Sequence, residues 1–201
     1  APLAPSCRGS WAPAPARPAG AAAAGEDARY RLSAALRSPD PVLVFEHVGL
    51  LNVEGDVAAT PRFPDIDRSA LRRPGRDLTL VTYGGSLPKC LDAAATLATE
   101  GIEAEVIDLR TLRPLDDAAI IASVRRTHRV LIVDEGWRSG SLSAEIGMRI
   151  GEQAFYELDA PVARLCTAEV PIPYPKHLED AALPGVAGVV EAARALVPHG
   201  R

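Results

Sequence analysis

Residues 103–135, EAEVIDLRTLRPLDDAAIIASVRRTHRVLIVDE, decide the fold. EAEVIDL is a short, largely apolar run of strand length. RVLIVDE is a second, and its unbroken VLIV stretch fits a strand buried on both faces. Between them RPLDDAAIIASVRRT reads as a helix. Acids stand at its start and Arg125 and Arg126 at its end, the order that complements a helix macrodipole. Strand, helix, strand predicts two parallel strands joined by a right-handed crossover.

The alternation continues on both sides. SLPKCLDAAATLATEG places Leu87, Leu91, Ala94, Ala95 and Ala98 on one helical face and ends in Gly101, a good residue just past a helix end. SLSAEIGMRIGEQAF and LPGVAGVVEAARALV read as helices, with PVARLCT as a strand between them. DIDRSALRRPGRDLTLVTYG reads as a hairpin turning at Pro74-Gly75. Further upstream, Ala28, Leu32, Ala35 and Leu36 share a helical face, Pro39 and Pro41 end that helix, and VLVFE is a short strand. The following HVGLLNVEGDVAATPRFPD has the Gly and Pro punctuation of a linker. The predicted fold class is α/β, with a mostly parallel sheet covered by helices on both sides. Residues 1–25 stand apart, with ten Ala, five Pro and no acidic residue, and are expected to be disordered or to be an aberrant junction.

Bulk properties remove several function classes. The 201 residues are 47% hydrophobic and 24% charged, ordinary for a globular chain, and the net charge of −4 argues against nucleic acid. No apolar run approaches the roughly 20 residues of a membrane-spanning helix, so no membrane partner is expected. Cys7, Cys90 and Cys166 are too few and too scattered for a zinc set or a disulfide framework, which makes a reducing cytoplasm the expected compartment.

Four stretches carry chemistry. TYGGSLPK, residues 82–89, puts two glycines between a strand and a helix. It matches no nucleotide fingerprint, and it reads as a tight turn with Ser86 as N-cap, an anion site at the helix N-terminus being the alternative. Asp134 and Glu135 end a strand, where open α/β sheets bind ligands. Adjacent strand residues point to opposite faces, so a shared-proton pair is not expected, and a structural turn with Trp137 at an interface is the competing reading. AEVPIPYPKHLED, residues 168–180, has three prolines that predict an extended loop carrying Tyr174, Lys176, His177, Glu179 and Asp180, a contact surface or a solvated loop. His47 follows VLVFE and is read as a hydrogen-bonded histidine at the core edge, a general base being the alternative. Cys90 and Cys166 read as small core residues.

The segments EDARYRLSAALRSPDPVLVFEH, LTLVTYGGSLPKCLDAA, EVIDLRTLRPLD, VLIVDEGWRSGSLSAEI and EVPIPYPKHLED, in this order, resemble the β subunit of 2-oxoacid dehydrogenase E1 components of the pyruvate and acetoin type. The resemblance runs from about residue 26 to the end. It implies a three-layer transketolase C-terminal-like domain over 66–201, a linker at 58–65, and at 26–57 the end of a thiamin diphosphate pyrimidine-binding domain. It implies an α2β2 heterotetramer that decarboxylates a 2-oxoacid on thiamin diphosphate with Mg²⁺ and passes the acyl group to the lipoyl group of an E2 acyltransferase. The implied partners are an E1 α subunit, a second β subunit and E2.

In that family the glutamate that activates the aminopyrimidine and the histidine near the reacting carbon lie upstream of the matching segments. Neither Glu46 nor His47 corresponds to them, and no catalytic or cofactor-binding residue is assigned. The expectation is therefore a truncated or frame-shifted β subunit, not catalytic alone, whose 26–46 elements have lost sheet partners and are mobile or docked on the second domain. The alternative is a non-catalytic module docking E1α, E1β or E2. The resemblance also implies a potassium ion held by oxygens of Ala35, Ser38 and Asp40, where the family usually has Asp in place of Ser38 and Asn in place of Asp40.

Overall fold

The computed structural model describes residues 19–22, 25–54 and 67–197. The upstream part contains β1 (Ala19–Ala22), α1 (Gly25–Ala35) and β2 (Leu43–Glu46), followed by a 3₁₀ turn at Val48–Leu50. The rest contains β3 (Ala70–Arg73), β4 (Leu78–Thr82), α2 (Ser86–Thr99), β5 (Ala104–Asp108), β6 (Thr111–Arg113), α3 (Asp117–Thr127), β7 (Val130–Trp137), α4 (Leu142–Ala154), β8 (Ala163–Thr167), α5 (Lys176–Ala182) and α6 (Val186–Leu196). The expected linker at 58–65 lies outside the described residues, as do residues 1–18.

Five strands form the main sheet in the order β3-β5-β4-β7-β8, with β4, β5, β7 and β8 parallel and β3 antiparallel at the edge. The period of two in the strands sorts side chains into two cores. Leu78, Leu80, Val106, Leu131 and Val133 face α2 and α6, meeting Leu87, Cys90, Ala94, Leu97, Val189 and Val190. Val81, Ile107, Val130 and Ile132 face α3 and α4, meeting Ile120, Val124, Ile146 and Ile150. The strands at the centre are apolar on both faces because helices cover both faces. The result is the three-layer α/β/α architecture.

The helix ends follow local chemistry. Asp116 caps α3 by accepting from the Ala119 amide at 3.2 Å, and it also accepts from the Ser69 amide at 2.9 Å. Arg125 and Arg126 close the last turn of α3. Gly101 has φ +82°, as the residue just past α2 requires.

Four expectations change. The run 70–82 is not a hairpin: β3 pairs with β5 instead of β4, because Pro74-Gly75 carries the chain past the start of β5. A Cβ on Gly75 would fall on the backbone of Ala104 and Glu105, so this passage needs glycine. The loop 168–180 is extended only as far as Pro175, which stands at the N-cap of α5 with φ −62°, the angle at which proline can precede a first turn. Ser86 is the first residue of α2 and Gly85 stands at the N-cap, with no side-chain cap bond. Residues 19–22, inside the segment expected to be disordered, form β1, which pairs parallel with β2 and antiparallel with β6. Small side chains permit this: a Cβ on Gly20 would lie 2.9 Å from the Arg110 carbonyl and 2.8 Å from Arg31. The strand therefore joins the upstream elements to the larger domain.

Candidate functional site

The main sheet has one topological switch point. The connection through α2 runs from β4 to β5, and the connection through α3 returns past β4 to β7. Between the carboxyl ends of β4 and β7 such sheets leave a crevice. Tyr83, Gly84 and Gly85 leave β4 there, and Asp134, Glu135 and Gly136 lie at the end of β7. Two of the stretches singled out from sequence thus meet at one place, and His47 from the upstream segment makes a third.

Asp134 is 1% exposed and fully engaged. It accepts from the Tyr83 hydroxyl at 2.8 Å, the Gly136 amide at 2.7 Å and the Ser143 amide at 3.1 Å. The last of these lies in the first turn of α4, where a carboxylate is favoured by the helix dipole. Asp134 therefore fixes the bend of β7 and the start of α4. The register of β7 against β8 shifts just here, between Asp134 and Trp137, and half-buried Trp137 stands opposite Thr167.

Glu135 faces the other way. Its Oε1 lies 2.9 Å from Lys89 Nζ and its Oε2 3.2 Å from His47 Nε2. Lys89 sits in the first turn of α2, next to the glycines. His47 caps the 3₁₀ turn: its Nδ1 accepts from the Gly49 amide at 3.1 Å. A neutral imidazole that accepts at Nδ1 carries its proton on Nε2, so the proton points at Glu135. The ring lies against Gly85, where an added Cβ would come within 2.6 Å of Nε2.

The expected opposition of Asp134 and Glu135 is what the structure shows. Asp134 is a structural acceptor and Glu135 belongs to a His–Glu–Lys cluster. His47 is half-buried and hydrogen-bonded at the core edge, as read from sequence. Cys90 lies one residue from Lys89 but offers no nucleophile: burial pushes its thiol up to about 12, against the smaller lowering effects of the Thr82 hydroxyl and Lys89. Cys166 is half-buried, its sulfur 3.4 Å from the Ser143 hydroxyl. The cluster holds a donor, an acceptor and a cation in mutual satisfaction, a geometry suited to positioning.

The remaining candidates lie elsewhere. Tyr174 is fully exposed, and Lys176 pairs with Asp180 one helical turn along α5. Glu169 accepts from the Ser139 amide at 2.9 Å, and its bonds to Ser139 hold its carboxyl below the ordinary value. Ala35, Ser38 and Asp40 lie together in the turn between α1 and β2. The Ala35 carbonyl accepts from the Ser38 amide at 3.1 Å, and the Ser38 hydroxyl accepts from the Asp40 amide at 3.2 Å. Each of those two oxygens keeps a second lone pair. Among the described residues no group of three His, Cys, Asp or Glu side chains is placed to hold a metal ion.

His47, Lys89 and Glu135 lie far apart along the chain and are joined only in the fold. Lys89 follows β4 and Glu135 lies in β7, strands that are neighbours only because the connection through α3 returns past β4.

Residues 67–189 match the family described as transketolase, C-terminal domain. The chain is 48% identical over 172 residues to the pyruvate dehydrogenase E1 component subunit beta, mitochondrial, of Drosophila melanogaster, covering 83% of this chain and 47% of that protein. It is 41% identical over 174 residues to the pyruvate dehydrogenase E1 component subunit beta of Rhizobium meliloti, covering 85% and 37%. Against the acetoin:2,6-dichlorophenolindophenol oxidoreductase subunit beta of Cupriavidus necator it is 38% identical over 175 residues, covering 87% and 52%. The chain thus spans about half or less of these relatives' length. Among solved structures, a split-gene transketolase described as an inactive β4 tetramer superposes with a TM-score of 0.74 at 22% identity, over 90% of this chain and 57% of that one. At that identity the likeness is one of fold.

Proposed function

The chain belongs to the transketolase C-terminal domain family, and from that premise we propose that it acts as the β-type subunit of a thiamin diphosphate-dependent E1 component. The reaction of such a component is oxidative decarboxylation of pyruvate or a related 2-oxoacid, or cleavage of acetoin, with acyl transfer to lipoyl-E2. One observation carries the proposal. Similarity to an E1 β subunit covers 83% of the chain, more than residues 67–201 supply, so it extends into the upstream segment that a generic transketolase C-terminal domain would not share.

Within that assembly we assign the described residues to association. They take part in the contacts with the E1 α subunit, a second β subunit and E2, in a heterotetramer. Thiamin diphosphate supplies the carbanion chemistry when bound, and no step of it is assigned to a described residue. Glu46 is exposed at the end of β2, and His47 is committed to Glu135. Potassium at the Ala35–Asp40 turn belongs to the same proposal. The free thiols of Cys90 and Cys166 support a reducing compartment, the cytoplasm in this reading.

Reconstitution tests the assignment. The chain is mixed with the E1 α subunit of the same genome, with and without an intact β subunit, and then with E2. A complex on size exclusion is the expected result, retained better in KCl than in NaCl. Thiamin diphosphate, Mg²⁺, a 2-oxoacid and an artificial electron acceptor are then added. In the mixture that lacks the intact β subunit, turnover no higher than the α-only blank supports an association role. Turnover above it would assign catalysis to this chain, and absence of every complex would overturn the E1 reading.

A further inference from the structure

Gly85 poses a question that its backbone does not answer. Its φ of −64° and ψ of −18° are ordinary for any residue. Gly84, one position earlier, has φ +57° and needs glycine for that reason. At Gly85 the constraint is steric, and the first atoms an added Cβ would meet are three of one side chain: His47 Nε2 at 2.6 Å, Cδ2 at 2.7 Å and Cε1 at 2.8 Å. The missing side chain is space for an imidazole ring.

The walls of that space have matching chemistry. Glu135 Oε2 receives the ring Nε2 at 3.2 Å, while Lys89 occupies Oε1 at 2.9 Å and leaves only one carboxylate oxygen for the ring. The Gly49 amide donates to Nδ1 at 3.1 Å. The main domain therefore meets the Nε2 end of the ring, through Glu135 and the space at Gly85, at the place where α/β sheets hold ligands, while the ring's own segment satisfies Nδ1. The ring comes from the upstream segment, and the walls, apart from Gly49, come from the main domain.

We infer that the switch-point crevice is an imidazole-binding site filled in cis by His47, so that His47 latches residues 43–50 onto the main domain. The ring acts as a tethered ligand. Holding it in the same chain gives it a high effective concentration, which a free ligand must match. This inference concerns the chain by itself and does not depend on its assembly with other subunits.

The test uses the full chain and free imidazole. His47→Gly removes the ring and leaves the crevice. Imidazole at about fivefold its dissociation constant then raises the thermal midpoint of H47G by about 2–4 °C and leaves the wild type unchanged. 1-Methylimidazole, with no N–H to give Glu135, produces no shift. In the double variant H47G/G85A the added methyl group fills the space and abolishes the effect. A second measurement is independent of rescue. Gly85→Ala alone expels the ring, so hydrogen-exchange protection of the Gly49 and Leu50 amides falls to the H47G level. Equal shifts of wild type and H47G by imidazole, no shift of either, or retained protection in G85A would each overturn the inference.

Discussion

Asp134 and Glu135 are neighbours in the chain and belong to different sites. The alternation of strand side chains separates them, so one carboxylate serves the start of α4 while the other holds Lys89 and His47. That much was legible in the sequence, because alternation needs only the knowledge that VLIVDE is a strand. The identity of their partners was not, since His47 and Tyr83 lie far away along the chain. Cys90 illustrates a residue whose environment sets its chemistry. Its thiol is raised from 9.0 to about 12, chiefly by burial. The unfolded chain releases this proton near the ordinary value and the folded chain does not. Stability is therefore undiminished by Cys90 below about pH 9 and declines as pH rises toward about 12. Urea unfolding of the wild type is expected to lose stability more steeply than that of Cys90→Ala between about pH 9 and about pH 10.5. Parallel slopes for the two proteins would contradict this.

At the scale of elements, the strongly patterned helices and the parallel strands follow the sequence closely. α3 has its N-cap acid and its closing arginines, and β7 has its apolar run. The failures fall where a local pattern fits two pairings. The runs 70–73 and 78–82 satisfy the signature of a hairpin, yet β3 lies across β5. What decides is Gly75, which lets the chain pass the backbone of β5, and the edge left open on β5 once β4 holds its other side. Two glycine substitutions test this account against each other. Gly75→Ala is expected to destabilise the fold by about 1–3 kcal/mol, because its methyl group meets backbone that cannot move cheaply. Gly151→Ala, in α4 with nothing near the added Cβ, is expected to stabilise by about 0.5–1 kcal/mol through helix propensity. Chemical denaturation of both proteins measures the contrast, and effects of the same sign would refute it.

At the scale of the molecule, the upstream elements hold to the larger domain through two features distant in sequence. β1 lies between β2 and β6, and His47 reaches the switch point. Gly20→Val places a branched side chain against the Arg110 carbonyl and is expected to release β2. Hydrogen exchange should rise at 43–46 and remain unchanged at 78–82 and 130–133. A uniform rise would mean that the two parts unfold as one. By itself the sequence determined the layers of this protein, its parallel sheet and its family, because periodicity, helix-end residues and motif order are local properties that any segment carries with it. Only the tertiary structure decided that β3 crosses to β5, that Ala19–Ala22 is a strand, and that His47, Lys89 and Glu135 form one cluster. Each of those depends on which surfaces remain open after the core has packed, and no window of sequence contains that information.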